Sequence, residues 1–128
     1  MLRDDIICAL STPPGIGALA IIRISGEGSR SILTPYFNSR RASKMGYESH
    51  RAYFGDFSID GEQIDEVLIT FFEEGKSFTG EEGFEISCHG SRYIIQRIME
   101  SILESGARLA DPGEYTMRAF MNGRMDLA

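Results

Sequence analysis

Cysteine is scarce in this chain: Cys8 and Cys88 are the only two in 128 residues, and they stand far apart. With no leader-like segment at the front, such a pair argues for a reduced setting and against a fold built on disulfides. Long apolar runs are also missing. The longest, Ala18-Leu-Ala-Ile-Ile22, is far too short to span a bilayer. Positive charge is thin: 13 Lys and Arg against 19 Asp and Glu leave a net charge of −6. Phosphate neutralisation needs clustered Lys and Arg, so a nucleic-acid surface spread over this segment is disfavoured. Histidine is limited to His50 and His89. Cys88-His89 cannot form a joint ligand pair on one strand, because neighbours there point to opposite faces, and the remaining donors are too few for a zinc site. A phosphate-binding loop is lacking too. Thr12-Pro-Pro-Gly-Ile-Gly17 has no following Gly-Lys-Ser/Thr and no third glycine, which argues against a nucleotide site here. Repeats and low-complexity tracts are likewise absent.

What is present describes an ordinary soluble domain, 42% apolar and 25% charged, large enough to bury a core without staples. Residues 5–11 form a first strand, ended by the prolines and glycines of 12–17. Residues 19–25 form a second strand that Gly26 breaks, and residues 27–33 a short helix. Residues 35–50, rich in Arg, Ser and Lys, read as a surface loop. Residues 51–59 and 63–73 pair as a hairpin about Asp60-Gly61. After a loop over 74–83, residues 84–88 form a short strand. Apolar positions 94, 95, 98, 99, 102 and 103 then carry helical spacing over 91–105, and Gly106 stops it. The last helix is expected to start at Asp111 as N-cap, with Pro112 in its first turn and Glu114 completing a capping box. Tyr115, Ala119 and Phe120 are its expected inner face, and Asn122-Gly123 its stop. Strands and helices in this order imply an α+β fold, one mixed or antiparallel sheet with a few helices.

Two charged residues are out of place. Arg23 lies between Ile22 and Ile24 in the most apolar strand, where an unpaired guanidinium is costly. It must face solvent, meet a carboxylate or hold an anionic or carbonyl-rich ligand. Glu85, between Phe84 and Ile86, raises the same question. A carboxylate at a pocket wall can accept two parallel N–H bonds from an amidine-like edge such as that of a pterin; a strand-edge carboxylate facing water is the plainer alternative. Thr79 with Glu82 fits a capping box, which gives the 77–82 loop a structural role. His89 reads as a turn-stabilising residue ahead of the helix at Ser91.

Read together in order, the blocks Thr12-Pro-Pro-Gly, Ile22-Arg-Ile-Ser-Gly26, Ser77-Phe-Thr-Gly-Glu-Glu82, Cys88-His-Gly90 and Pro112-Gly-Glu-Tyr-Thr-Met-Arg-Ala-Phe-Met-Asn-Gly-Arg-Met-Asp-Leu-Ala128 resemble the N-terminal domain of the MnmE (TrmE) family of tRNA-modifying GTPases. Only residues 35–50 carry no recognisable block. The resemblance implies a fold like the folate-binding domain of aminomethyltransferases over 1–123, with 124–128 starting a helical domain and the chain a piece of a longer protein. It further implies homodimerisation through this domain, with contacts expected in 6–10 and 64–72. A tetrahydrofolate derivative, 5-formyl- or 5,10-methylene-tetrahydrofolate, would bind near the dimer interface at Arg23, Glu85 and Arg124. It would supply a one-carbon unit for the wobble uridine of certain tRNAs, alongside the flavin protein MnmG (GidA). GTP, Mg and K would belong to a GTPase domain outside this chain, so the segment alone is expected to be catalytically inactive. A cytoplasmic location without membrane contact follows from the same resemblance. The sequence departs from the pattern at Ile16, at Cys88 and Ser91, and at Arg124 in place of the usual Lys, which turns a point charge into a fork. Those departures keep open a second reading, an assembly module with a degenerate folate pocket. A stand-alone folate-dependent one-carbon transferase is a third reading, resting on fold analogy alone.

Overall fold

A computed structural model describes residues 5–11, 18–39 and 46–124. Its frame is a seven-stranded sheet: β1 (Ile7–Leu10), β2 (Leu19–Ser25), β3 (Phe37–Ser39), β4 (Ala52–Ile59), β5 (Glu62–Phe72), β6 (Gly83–His89) and β7 (Arg108–Leu109). Three helices accompany it among the described residues, α1 (Ser29–Leu33), α2 (Arg92–Glu104) and α3 (Glu114–Met121). In space the strands run β3-β4-β5-β6-β2-β1-β7, antiparallel except for the parallel β1–β7 pair. The α+β expectation is met.

Alternation along the strands separates the two faces. Ile22 and Ile24 of β2 stand beside Ile86 and Phe84 of β6, which in turn stand beside Ile69 and Phe71 of β5. All six are buried, and Ile98 and Ile102 of α2 belong to the same core. The helical period at 94, 95, 98, 99, 102 and 103 is thus the stripe that α2 turns to the sheet, and Ser91 caps it by accepting from the Ile94 amide. The β4–β5 hairpin closes at Asp60-Gly61, both with positive φ (50° and 81°), as a two-residue primed turn demands.

Three expectations need correction. The loop over 35–50 is interrupted by β3, because Phe37 and Ser39 bury on alternate positions against β4. Its flanks are anchored by rings, with Tyr36 stacked on Phe57 at 5.4 Å and Tyr47 on Phe71 at 4.0 Å. Residues 40–45, like the turn at 12–17 and Ile16 within it, lie outside the described residues. Asp111 does not cap α3. The N-cap is Gly113 in the left-handed conformation (φ 74°), so Pro112 precedes the helix, and only half of a capping box forms, Asp111 N–H to Glu114 Oε1 at 2.9 Å. Finally, the inner face of α3 is Tyr115, Arg118 and Ala119, with Phe120 left partly exposed. The polar residue wins that place because carboxylates wait for it.

Candidate functional site

The face of the sheet opposite α2 carries Arg23. Register places Arg23 directly beside Glu85 of β6, and Thr70 of β5 on the far side of Glu85. Directly opposed residues on one face are within side-chain reach. Arg23 Nε donates to Glu85 Oε2 at 2.9 Å, with both side chains only about a third exposed (36% and 27%). Of the three fates open to Arg23, pairing with a carboxylate is therefore realised, and its partner is the other residue that looked misplaced. The Tyr115 ring lies under the guanidinium, 5.8 Å from its carbon, and the Tyr115 hydroxyl donates to the Arg23 carbonyl at 2.6 Å. Burial raises the Tyr115 phenol above its ordinary value, which keeps it a donor at every physiological pH.

Beside this pair opens a cleft of about 150 Å³. Arg23, Ser25, Gly83 and Glu85 form its strand wall, Phe72 contributes apolar surface, and Lys76, Ser77, Phe78 and Thr79 form the loop wall. His50 lies at the rim, edge-on to Phe72 with centroids 5.0 Å apart. Gly83 is needed where it stands: a Cβ there would come 2.5 Å from the Ile24 carbonyl oxygen, so only glycine lets β6 lie this close to β2. Phe78 is half exposed across from the ion pair.

The loop over 74–82 is fixed by hydrogen bonds rather than by a helix. Thr79 and Ser25 hydroxyls lie 2.7 Å apart, Ser25 donates to Glu81 Oε1 at 2.8 Å, and Thr79 Oγ1 accepts from the Glu81 amide at 3.2 Å. Glu82 accepts from the Arg30 amide at 3.0 Å. No helix begins at Thr79, so the expected capping box is replaced by these ties. The structural role expected of the loop is present in another form.

Beneath the loop sits Arg118, 1% exposed. Its Nη1 donates to both Glu81 oxygens at 3.1 Å and to the Asp5 carbonyl at 2.9 Å, while Nη2 donates to Asp5 Oδ1 at 2.8 Å and Glu114 Oε2 at 3.2 Å. Burial pulls its pKa down, but Glu81 and Glu114 overcome that and leave it raised. Arg108 joins from β7, donating to Glu114 Oε1 at 2.8 Å and also pairing with Asp5. Sequence reasoning passed over Arg118. The signal was its place in the helix: 115, 118, 119 and 122 share one face at spacings of three and four.

Arg124, the third expected ligand contact, is not among the residues lining this cleft. It is exposed and lies against the 74–82 loop at Gly80, so close that a Cβ on that glycine would come within 3.1 Å of Arg124 Cγ. Cys88 and His89 do point apart. Cys88 is buried with its thiol pushed up to about 11 by burial, whereas exposed His89 reaches Asp65 of β5, Nδ1 to Oδ1, at 2.7 Å. His89 thus ties β6 to β5 rather than bracing the turn before α2. No group of three or more His, Cys, Asp or Glu with metal-binding geometry occurs among the described residues.

A family described as GTP-binding protein TrmE N-terminus matches residues 6–124. The chain belongs to that family. Among relatives named tRNA modification GTPase MnmE, the protein of Bdellovibrio bacteriovorus is 52% identical over 128 residues, covering 98% of this chain and 26% of that protein. That of Parabacteroides distasonis is 49% identical, covering 95% and 27%, and that of Thermotoga maritima 44%, covering 96% and 26%. The chain therefore spans about a quarter of the length of these MnmE relatives. No helix among the described residues is long and apolar enough to cross a membrane.

Proposed function

We propose that this chain is the tetrahydrofolate-binding, homodimerising module of a tRNA-modifying GTPase. The observation that carries the reading is the Arg23–Glu85 pair at the wall of an aromatic-lined cleft. A pterin is a flat ring with adjacent donors and acceptors, and it fits between Phe78 of the loop wall and the strand wall. Glu85 would accept from the amino-pyrimidinone edge, and Arg23 would donate to carbonyl or carboxylate oxygens. Arg124, beside Gly80 of the loop, would meet the glutamate tail. When bound, the folate supplies a one-carbon unit; the residues here bind and orient it. GTP hydrolysis with Mg and K, tRNA, and the flavin partner MnmG belong in this reading to the rest of a longer cytoplasmic protein.

The test is calorimetric titration with 5-formyltetrahydrofolate, run on the parent chain, Arg23→Ala and Glu85→Ala. Each substitution is expected to weaken saturable binding by about one to two decades, the worth of a charge-assisted contact of roughly 1.5–3 kcal/mol. Unchanged affinity in both variants would refute the assignment. Sedimentation of the same samples reads the dimer, with 6–10 and 64–72 as expected contacts.

Two observations favour the alternative, an assembly module with a degenerate pocket. Arg23 Nε and Glu85 Oε2 bond each other without any ligand, while the cross-strand neighbours Phe54 and Leu68 stand about half exposed on the open sheet face. A stable dimer with no folate affinity would select that reading.

A further inference from the structure

We propose that Arg118 is a positioning residue for the cleft, through which α3 clamps both of its walls. The proposal rests on the cleft being the folate site and concerns what holds that site open. The two walls come from different parts of the chain. One is β2 with β6; the other is the loop over 74–82, which has no helix or strand of its own. Left to itself, such a loop would sample many conformations, and a ligand would have to order it on binding.

Helix α3 supplies the order from below. Tyr115 grips the strand wall at the Arg23 carbonyl. One turn on, Arg118 grips the loop wall through both oxygens of Glu81. A further turn on, Asn122 Nδ2 donates to the Thr79 carbonyl at 2.9 Å. Glu81 is the junction, because its Oε1 also accepts from Ser25, the β2 residue two places from Arg23, and Ser25 meets Thr79. A continuous path thus runs from Arg118 through Glu81 and Ser25 to Thr79, passing under the cleft between its walls. Arg118 is itself fixed by Asp5 and Glu114, so the clamp cannot slide without exposing a buried charge or breaking several charge-assisted bonds. Arg118 is not among the residues lining the cleft. Its effect on a ligand must pass through the loop.

Linkage makes the relation reciprocal: if α3 in this position favours an occupied cleft, an occupied cleft favours α3 in this position. The experiment uses the 128-residue chain, Arg118→Met, Arg118→Lys and the milder Asn122→Ala. Ile98→Ala, a core change on α2, serves as a destabilised reference. Hydrogen exchange is followed at the amides of Gly75, Gly80 and Glu81, which bond within the loop, and 5-formyltetrahydrofolate affinity is measured well below each melting point. Arg118→Met is expected to speed exchange of those amides by about tenfold or more and weaken binding by a similar factor. Arg118→Lys should recover part of both effects, Asn122→Ala should give a smaller loss of both, and Ile98→Ala should leave both near the parent values. Unchanged loop exchange in Arg118→Met and Asn122→Ala overturns the clamp. So does a loosened loop with parent affinity, or an equal loss of affinity in Ile98→Ala. If the parent chain takes up no folate, the folate reading falls, and loop exchange alone decides whether α3 restrains the loop. Should Arg118→Met fail to fold, Arg118→Lys and Asn122→Ala decide the matter by the same two measurements.

Discussion

Replacing Glu114 by Gln is expected to destabilise the chain at neutral pH and to do so progressively less as the medium is acidified. Glu114 accepts from Arg108, from Arg118 and from the Asp111 amide, and its side chain is only 13% exposed. Hydrogen bonding from Arg108, first of all, holds its carboxyl down from an ordinary 4.5 to about 2. A depressed folded-state pKa contributes stability that is fully present above the unfolded value and is lost as pH falls through the folded one. At about 1.4 kcal/mol per pH unit, the difference amounts to roughly 3 kcal/mol, and partial screening at Arg108 brings it to about 2–3 kcal/mol. Gln is nearly isosteric with the protonated acid, so the substitution imposes permanently what acid does gradually. Urea unfolding of both chains from pH 7 downward should show a gap of that size above about pH 5, narrowing to about half near pH 3. A gap that stays constant over this range, or one under about 0.5 kcal/mol at pH 7, would show that the buried charge cluster is not what fastens α3 and β7 to the sheet.

Three further outcomes are expected. Gly83→Ala places a Cβ 2.5 Å from the Ile24 carbonyl oxygen and must push β6 from β2, so a loss of about 1–3 kcal/mol in urea unfolding is predicted; parent-like stability would show that the strands can give at no cost. Tyr115→Phe removes the donor to the Arg23 carbonyl and should cost about 1–2 kcal/mol by the same assay, with no loss if solvent replaces the hydroxyl. Cys8 and Cys88 are buried, with thiols pushed up by burial to about 11, so a thiol reagent at pH 8 should label them only in denaturant; rapid stoichiometric labelling of the native chain would contradict that burial.

Where two periodicities agreed with punctuation, the elements were legible in the residues. The strand at 19–25 and the helix closing at Gly106 are of this kind, as is the hairpin at Asp60-Gly61. What escaped depended on partners distant in sequence. Strand β3 is three residues long and owes its existence to β4, and β7 is two residues laid against β1. No local pattern marks such fragments, because pairing rather than propensity makes them. The start of α3 differs from expectation for a related reason. Glu114 makes its half of a capping box at the Asp111 amide, but its carboxylate is shared with Arg108 and Arg118, and Gly113 rather than Asp111 turns the chain into the helix. At the site, the misfit of Arg23 and Glu85 in their strands was visible, but not that each answers the other, since register is a property of the sheet.

That mutual pairing also bears on how the cleft would select a ligand. An ion pair with both side chains about a third exposed contributes little to folding, about 0–1 kcal/mol. Yet it holds a guanidinium and a carboxylate in fixed, neighbouring orientations on rigid strands, with Tyr115 beneath the cation. A ligand offering only an anion would take Arg23 from Glu85 and strand the carboxylate; one offering only donors would strand the guanidinium. A molecule presenting a donor edge beside an acceptor leaves neither unpaired. Selection then comes from the cost of an unsatisfied, partly buried charge rather than from added attraction. On this argument Glu85→Gln should relax discrimination between folates and simple carboxylates more than it weakens folate itself. Competition titration of that variant with 5-formyltetrahydrofolate and free glutamate measures the ratio, and an unaltered ratio would rule the mechanism out.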